Sequence, residues 1–403
     1  MVLKSTLKDV IETQTIAVNQ LDKGLERLLL DNIGHTPKNF ALIISGIRRC
    51  GKSTLIYQFI SKYIDATYLF LNFDTAKLYT FDVEDFQILD QIIDEMSTRW
   101  LLFDEIQVVE GWEIYVRQKI DEGYQVLITG SNASLLSQEL GTKLTGRQIT
   151  KELYPFSFTE YSKFNTLKKT EEAFQAYVDE GGFPGYLKSK NIDVLSMLID
   201  DILHRDIAVR YQIRDVKSLK NLIVFLATNT GKLVSANKLK QVIGVKSTTT
   251  ISEYFSYFES TYLVQFVSKF SYSHKVQLVN PKKVYFIDTG LQQVLSTSFT
   301  EDYGRKLETI VYWELKRQDK TLYYYYEKGK ECDFVVCKHQ KVEHLIQVCY
   351  HLNRENQKRE LAGLVDAMTY FDIEIGFIIT FNQNDMMIIE GKRIEIVPVY
   401  EYF

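Results

Sequence analysis

The chain has 403 residues, enough for about two or three domains that each bury a core, and its 45% hydrophobic and 25% charged residues are those of an ordinary globular protein. A net charge of −4 and a pI near 6.0 exclude a uniformly basic surface, so any contact with nucleic acid has to be local. No apolar run approaches the roughly 18 residues of a membrane span, and the first thirty residues lack the apolar block of a signal peptide, so a cytoplasmic protein without membrane association is expected.

In chain order, residues 3–30 carry apolar groups at helical spacing and predict one or two amphipathic helices, an N-terminal segment of 1–35. From Phe40 the pattern changes: short β-rich runs (ALIIS, TYLFLNF, WLLFDE, QVLITG) alternate with helical stretches, as in a parallel α/β sheet with helices on both faces, over 36–155. A polar, mostly helical stretch, 156–215, follows and is interrupted by the turn signal Gly181-Gly182-Phe183-Pro184-Gly185. Residues 216–295 predict a compact helical unit ending in short strands, and 296–403 a helix followed by several strands. Four cysteines (Cys50, Cys332, Cys337, Cys349) form no C-x-x-C pair, and the histidines no H-x-x-x-H or H-E-x-x-H pattern; both argue against a zinc site or a disulfide framework.

Gly46-Ile47-Arg48-Arg49-Cys50-Gly51-Lys52-Ser53 matches G-x-x-x-x-G-K-[ST], with a predicted strand before it and a predicted helix after it. Glycines let the backbone curl until successive N–H groups face a phosphate, and the helix that follows adds its positive end. Gly46, Arg48, Arg49, Cys50, Gly51, Lys52, Ser53 and Thr54 are therefore the candidate ATP contacts. Lys52 is expected to bridge the β- and γ-phosphates, and the Ser53 hydroxyl to ligate Mg2+.

About fifty residues on, Trp100-Leu101-Leu102-Phe103-Asp104-Glu105 is an apolar strand ending in two acids. Asp104 is the candidate to hold Mg2+ through water, and Glu105 the candidate to polarise the attacking water. A third strand ends in Gly130-Ser131-Asn132, which places Asn132 as a sensor of the γ-phosphate, and Arg147 is a candidate for stabilising transition-state charge, from this subunit or from a neighbour in a homo-oligomer. Asp74, after TYLFLNF, either lines the same cleft or is a turn residue.

These segments, with the I-T-G-S-N turn and L-T-G-R followed by L-Y-P-F-S-F-T-E-Y, resemble the bacterial and archaeal AAA-type (AAA+) P-loop ATPases. More narrowly they look like the branch whose C-terminal region is called domain of unknown function 4143. The resemblance implies a core with an extra strand between the phosphate-loop strand and the acid-bearing strand, followed by a small helical lid.

Residues 231–283 hold eight lysines (232, 238, 240, 246, 269, 275, 282 and 283) against Glu253 and Glu259, a local excess of +6 with no arginine. A capped helix over 235–244, a turn, a helix over 248–260 and a strand over 261–272 read as a winged helix-turn-helix. Lys246, Ser247, Thr248 and Thr249 stand at the second helix's start, placed for phosphates or bases, and lysine without arginine points to weakly sequence-specific DNA contact. Beyond it, Glu308, Asp333 and the strand Ile346-Gln347-Val348-Cys349-Tyr350 resemble the PD-(D/E)XK nuclease core, with Gln347 where the second strand acid belongs and Cys349 where the lysine belongs. A neutral amide is a poor Mg2+ ligand and a thiol carries no positive charge, so a nuclease-like fold without cleavage is expected. The function expected is ATP hydrolysis coupled to this winged helix and degenerate nuclease-like module, acting on DNA. The rivals are an ATP-dependent signalling switch that binds protein partners, and an active ATP-regulated nuclease.

Overall fold

The computed structural model describes residues 1–34, 37, 39–131, 144, 146–297 and 302–403. The chain divides into two compact units, Met1–Tyr154 with Ser260–Tyr262, and Pro155–Glu259 with Leu263–Phe403.

In the first unit, β1 (Ala41–Ser45), β2 (Tyr68–Asn72), β3 (Trp100–Asp104), β4 (Gln125–Gly130) and β5 (Gln148–Glu152) form one sheet in the order β2-β3-β4-β1-β5. Every pairing is parallel. A parallel strand packed on both faces needs an apolar side chain at nearly every position, and ALIIS of β1 is buried throughout. β4 lies between β1 and β3, which is the extra strand that the resemblance implied. Helix α1 (Lys4–Gln20) belongs to this unit: Leu7, Val10 and Ile11 join its core, and the Gln14 amide pairs with both backbone groups of Asn72, at 3.1 and 2.8 Å. The helices α2 (Lys52–Tyr63), α3 (Phe86–Met96) and α4 (Trp112–Asp121) follow β1, β2 and β3 in turn.

The second unit opens with α5 (Phe158–Phe164), α6 (Glu171–Glu180) and α7 (Pro184–Ser189). Between α6 and α7, the glycine turn lies under a strict packing limit: a β-carbon on Gly182 would stand 2.2 Å from the Phe156 carbonyl oxygen. Helix α8 (Asp193–Asp201) continues as a π-helix over Ile202–Val209, and α9 (Val216–Thr228) follows. Then come β6 (Leu233–Val234), α10 (Ala236–Ile243), α11 (Thr248–Ser260), β7 (Val264–Val267), the short α12 (His274–Val279) and β8 (Lys282–Phe286). The three strands form an antiparallel sheet in the order β6-β8-β7. Helix α10 has the caps the sequence announced, with the Ser235 hydroxyl accepting from the Lys238 N–H and Gly244 at φ 81°. The strand expected over 261–272 is shorter: the ladder ends at Val267, and Ser271 forms a turn by accepting from the Ser273 N–H at 3.1 Å.

After α13 (Thr289–Leu295) and α14 (Tyr303–Lys316), a six-stranded mixed sheet runs β13-β14-β12-β11-β10-β9. Its strands are β9 (Thr321–Glu327), β10 (Lys330–Lys338), β11 (Lys341–Val348), β12 (Ile375–Thr380), β13 (Asp385–Ile389) and β14 (Lys392–Pro398). Helix α15 (Gln357–Phe371), which the sequence reading does not single out, packs Leu361, Leu364, Val365 and Met368 into this domain's core.

Candidate nucleotide site

The loop between β1 and α2 has the conformation its glycines permit. Gly51 takes φ 101° just before the helix, and a β-carbon on Gly46 would lie 2.0 Å from the Leu153 carbonyl oxygen. Arg49, the one non-glycine residue of the loop at positive φ (63°), is exposed, and Arg48 is half-buried. Lys52 is buried, and its ammonium donates to the carbonyls of Gly46 (3.0 Å) and Ile47 (3.1 Å), with Glu105 Oε1 at 3.9 Å. Burial pushes the Cys50 thiol up from its ordinary range against the pull of Lys52 and Arg27, so this loop cysteine stays a thiol.

Asp104 ends β3 fully buried. Its Oδ2 accepts from the Ser53 hydroxyl at 2.7 Å and from Asn72 Nδ2 at 2.9 Å, and its Oδ1 accepts from the Thr129 hydroxyl. Burial, and then Glu105, raise its pKa, while Thr129, Ser53 and Lys52 oppose them. The serine hydroxyl and the carboxylate converge as a Mg2+ site at a phosphate loop requires, and both oxygens are of the hard type that this ion takes. Glu105 follows at φ 55°, a left-handed backbone that turns its side chain out of the strand register. Its Oε2 accepts from Gln107 Nε2 and from the Ser131 hydroxyl, the latter at 3.3 Å.

The sequence-derived residues fall into three groups. Lys52, Ser53, Asp104 and Glu105 come together; Asn132 lies outside the described residues. Arg147 precedes β5, whose residues 148 and 152 pair with Ala41 and Ser45, so it stands at the end of the sheet opposite the loop, with Nη1 at 2.6 Å from Asp121. Asp74 is an exposed turn residue whose N–H donates to Asn72 Oδ1. Asn72 itself, missed in the sequence, is the β2 residue that reaches Asp104; the two are register partners in adjacent parallel strands. Pairing TYLFLNF beside WLLFDE end to end is the signal that could have found it.

A second set of acids and a lysine occupies the second unit. Lys283, counted in the sequence as part of a basic face, is fully buried on β8 and unavailable to a phosphate. Its ammonium lies 3.0 Å from Glu308 Oε1, 2.6 Å from Glu331 Oε1 and 2.6 Å from Asp333 Oδ1. Burial opposes its charge, but Asp333, Glu308, Tyr285 and Glu331 outweigh burial and hold it protonated. Burial raises Glu308, on α14, to about 7, with Lys283 pulling the other way. Asp333 sits where the pairing of β10 with β9 slips between Cys332 and Val335, a bulge that re-aims side chains. Gln347 accepts from the Asp333 N–H at 3.2 Å and donates to Glu360 on α15 at 2.7 Å; Cys349 is buried, its thiol pushed up to about 11 by burial. A cavity of about 710 Å3 is lined by Glu308, Asp333, Gln347, Cys349, Arg359 and Glu360 among others.

Comparison with known proteins bears on the fold of the first unit. Residues 38–162 match the family model described as AAA domain. The uncharacterized protein MJ1544 of Methanocaldococcus jannaschii is 30% identical, over 98% of this chain and 99% of its own length. This chain belongs to the family of MJ1544. An uncharacterized protein of Haemophilus influenzae is 31% identical over 81% of this chain and 86% of its own. In the MJ1544 family member described here, the parallel sheet with β4 between β1 and β3 and the AAA match make the first unit a P-loop domain of the AAA+ type. The model matched in the second unit is a domain of unknown function (DUF8612) over residues 171–302, in place of domain of unknown function 4143. Among solved structures, AMPPCP-bound DnaA from Aquifex aeolicus is 14% identical over 62% of this chain and 88% of its own (TM-score 0.31). The Aeropyrum pernix Orc1 protein in complex with DNA is 11% identical over 66% and 90% (TM-score 0.27). Among the described residues no helix is long and apolar enough to cross a membrane.

Proposed function

We propose that this chain binds and hydrolyses ATP with Mg2+, and the contact that carries the reading is Ser53 Oγ to Asp104 Oδ2 at 2.7 Å, with Glu105 next in the chain. Ser53 and Asp104 would hold Mg2+, which supplies charge neutralisation on phosphate oxygens. Lys52 gives up its carbonyl partners for the β- and γ-phosphate oxygens, a charge-assisted exchange that favours the anion. Glu105 orients a water and accepts its proton, and Gln107 and Ser131 hold the carboxylate in place. The position of Arg147 favours action on a neighbouring subunit over action on its own loop.

We infer also that residues 216–295 form a winged helix-turn-helix that contacts DNA. The order β6, α10, α11, β7, β8 and the exposed Lys246, Ser247 and Thr249 at the start of α11 support this. The basic face is smaller than the lysine count implies, since Lys283 is withdrawn into the carboxylates and Lys269 pairs with Glu327 at 3.3 Å. For 296–403 the reading is a nuclease-like fold without cleavage: Gln347 and Cys349 replace the acid and lysine that the chemistry needs, and an ammonium already lies among Glu308, Glu331 and Asp333.

The test is steady-state ATP hydrolysis with and without duplex and single-stranded DNA, with Lys52→Ala as the blank. Stimulation by DNA that fades at high salt fits the coupled reading. Hydrolysis that needs Lys52 and ignores DNA fits a switch that binds proteins, and a divalent-metal-dependent nick lost in Asp333→Ala would establish an active nuclease.

A further inference from the structure

The back of the phosphate loop is tied to residues far away in sequence. Ser45, the last residue of β1 and the neighbour of Gly46, accepts on Oγ from the Tyr262 hydroxyl at 2.8 Å, and its carbonyl accepts from the Leu153 N–H at 2.7 Å. Cys50 Sγ donates to the Leu153 carbonyl at 3.3 Å. Arg27, buried, donates Nη1 to the Cys50 carbonyl at 2.8 Å and Nη2 to the Tyr154 carbonyl at 2.7 Å. Loop backbone, the 153–154 segment, Arg27 and Tyr262 therefore form one hydrogen-bonded block inside the first unit.

Two members of that block are also where the chain changes unit. Tyr154 is the last residue before the second unit begins at Pro155, and Ser260–Tyr262 is the short return between Glu259 and Leu263. Tyr262 is 1% exposed and takes φ 63°, a conformation a bulky side chain adopts only when its surroundings enforce it. Two residues before it α11 ends, and two residues after it β7 begins. Packing the ring alone would not direct the hydroxyl to Ser45; that bond places a polar reporter one residue from the loop's first glycine.

We propose that Tyr262 is a positioning residue that couples the state of the phosphate loop to α11 and β7. When Lys52 leaves the Gly46 and Ile47 carbonyls for a triphosphate, the hydrogen bonds at the start of the loop change, Ser45 shifts with them, and the Tyr262 hydroxyl carries the shift into the backbone that joins α11 to β7. Coupling of this kind is reciprocal: whatever binds α11 alters nucleotide affinity by the same factor. The proposal rests on the ATP reading of the first unit and is independent of whether DNA or protein is the partner.

The test is hydrogen exchange on the full chain, with and without Mg2+ and a slowly hydrolysed ATP analogue, for wild type, Tyr262→Phe and Lys52→Ala. In wild type the analogue should slow exchange in peptides from 44–56 and, by about fivefold or more, in peptides from 248–267, the lower end of ordinary couplings. In Tyr262→Phe the protection of 44–56 should remain and that of 248–267 should vanish; in Lys52→Ala both should vanish. Should Tyr262→Phe not fold, Ser45→Ala removes the same bond from the other side and is read in the same way. Full protection of 248–267 in Tyr262→Phe overturns the proposal, as does a wild type protected at 44–56 alone. A wild type protected at neither segment overturns the ATP reading itself and the coupling with it, an outcome distinguished by the silence of 44–56.

Discussion

The two units each bring a lysine among acids, and they do so with opposite consequences. Lys52 is held by two backbone carbonyls, with its nearest carboxylate at 3.9 Å. Carbonyl dipoles satisfy an ammonium without neutralising it, so its charge remains for an incoming phosphate. Lys283 touches three carboxylates within 3.0 Å and is buried, as is Asp333, while Glu308 is largely covered and Glu331 partly exposed. Its charge is matched by those carboxylates inside the protein. Residue types that look equivalent in a sequence thus give a site poised for a ligand in one place and a structural ion cluster in the other.

The largest effect should come from breaking the closed cluster. Lys283→Met leaves buried carboxylates uncompensated, and denaturant titration should show the second unit losing about 3–5 kcal/mol; an unchanged midpoint would mean that the cluster does not depend on its lysine. In the open site the expected loss is of rate. Glu105→Gln should keep ATP bound in a filter or fluorescence assay while turnover falls roughly 100- to 1,000-fold, and wild-type turnover would remove Glu105 from its role.

Asp288 isolates burial from lysine pairing, since its carboxylate is held by the backbone N–H groups of Gly182 (2.6 Å) and Leu291 (3.0 Å). Burial raises its pKa from 3.8 to about 6. A folded-state pKa above the unfolded one means stability that is fully present below about pH 4 and is lost as pH rises through 6, roughly 3 kcal/mol in all. Asp288→Asn should abolish that slope between pH 4 and 6 in melts followed across pH, whatever it does to absolute stability. The smallest effect is predicted for Glu331→Gln: this carboxylate is about a third exposed, so its share of the Lys283 cluster is screened, and the loss should stay below about 1 kcal/mol by the same denaturation.

Much of the first site was legible because its residues are consecutive. A phosphate loop needs glycines, a lysine and a serine at fixed spacing, and a strand ending in Asp104-Glu105 carries its own apolar signature. The supporting residues were not legible. Asn72, Ser131 and Gln107 are ordinary polar residues until the parallel register or a local turn aims them at the two acids. Arg27 and Tyr262 lie 23 and 217 positions from the atoms they hold. Lys283 was illegible for a related reason: a count of lysines treats β8 as a surface, whereas this strand is covered on both faces and residues 283–286 are all buried.

By itself the sequence determined the phosphate-loop motif, the order of the parallel strands' apolar runs and the capped helix at 236–243. These follow from local periodicity and from residue identity, which folding does not alter. Only the tertiary structure decided which acids see which lysine, and that the chain returns to the phosphate loop at Tyr262. Charge and hydrogen bonding act over a few ångströms, and which groups come within that distance is set by how the sheets are ordered and how the chain crosses between its units.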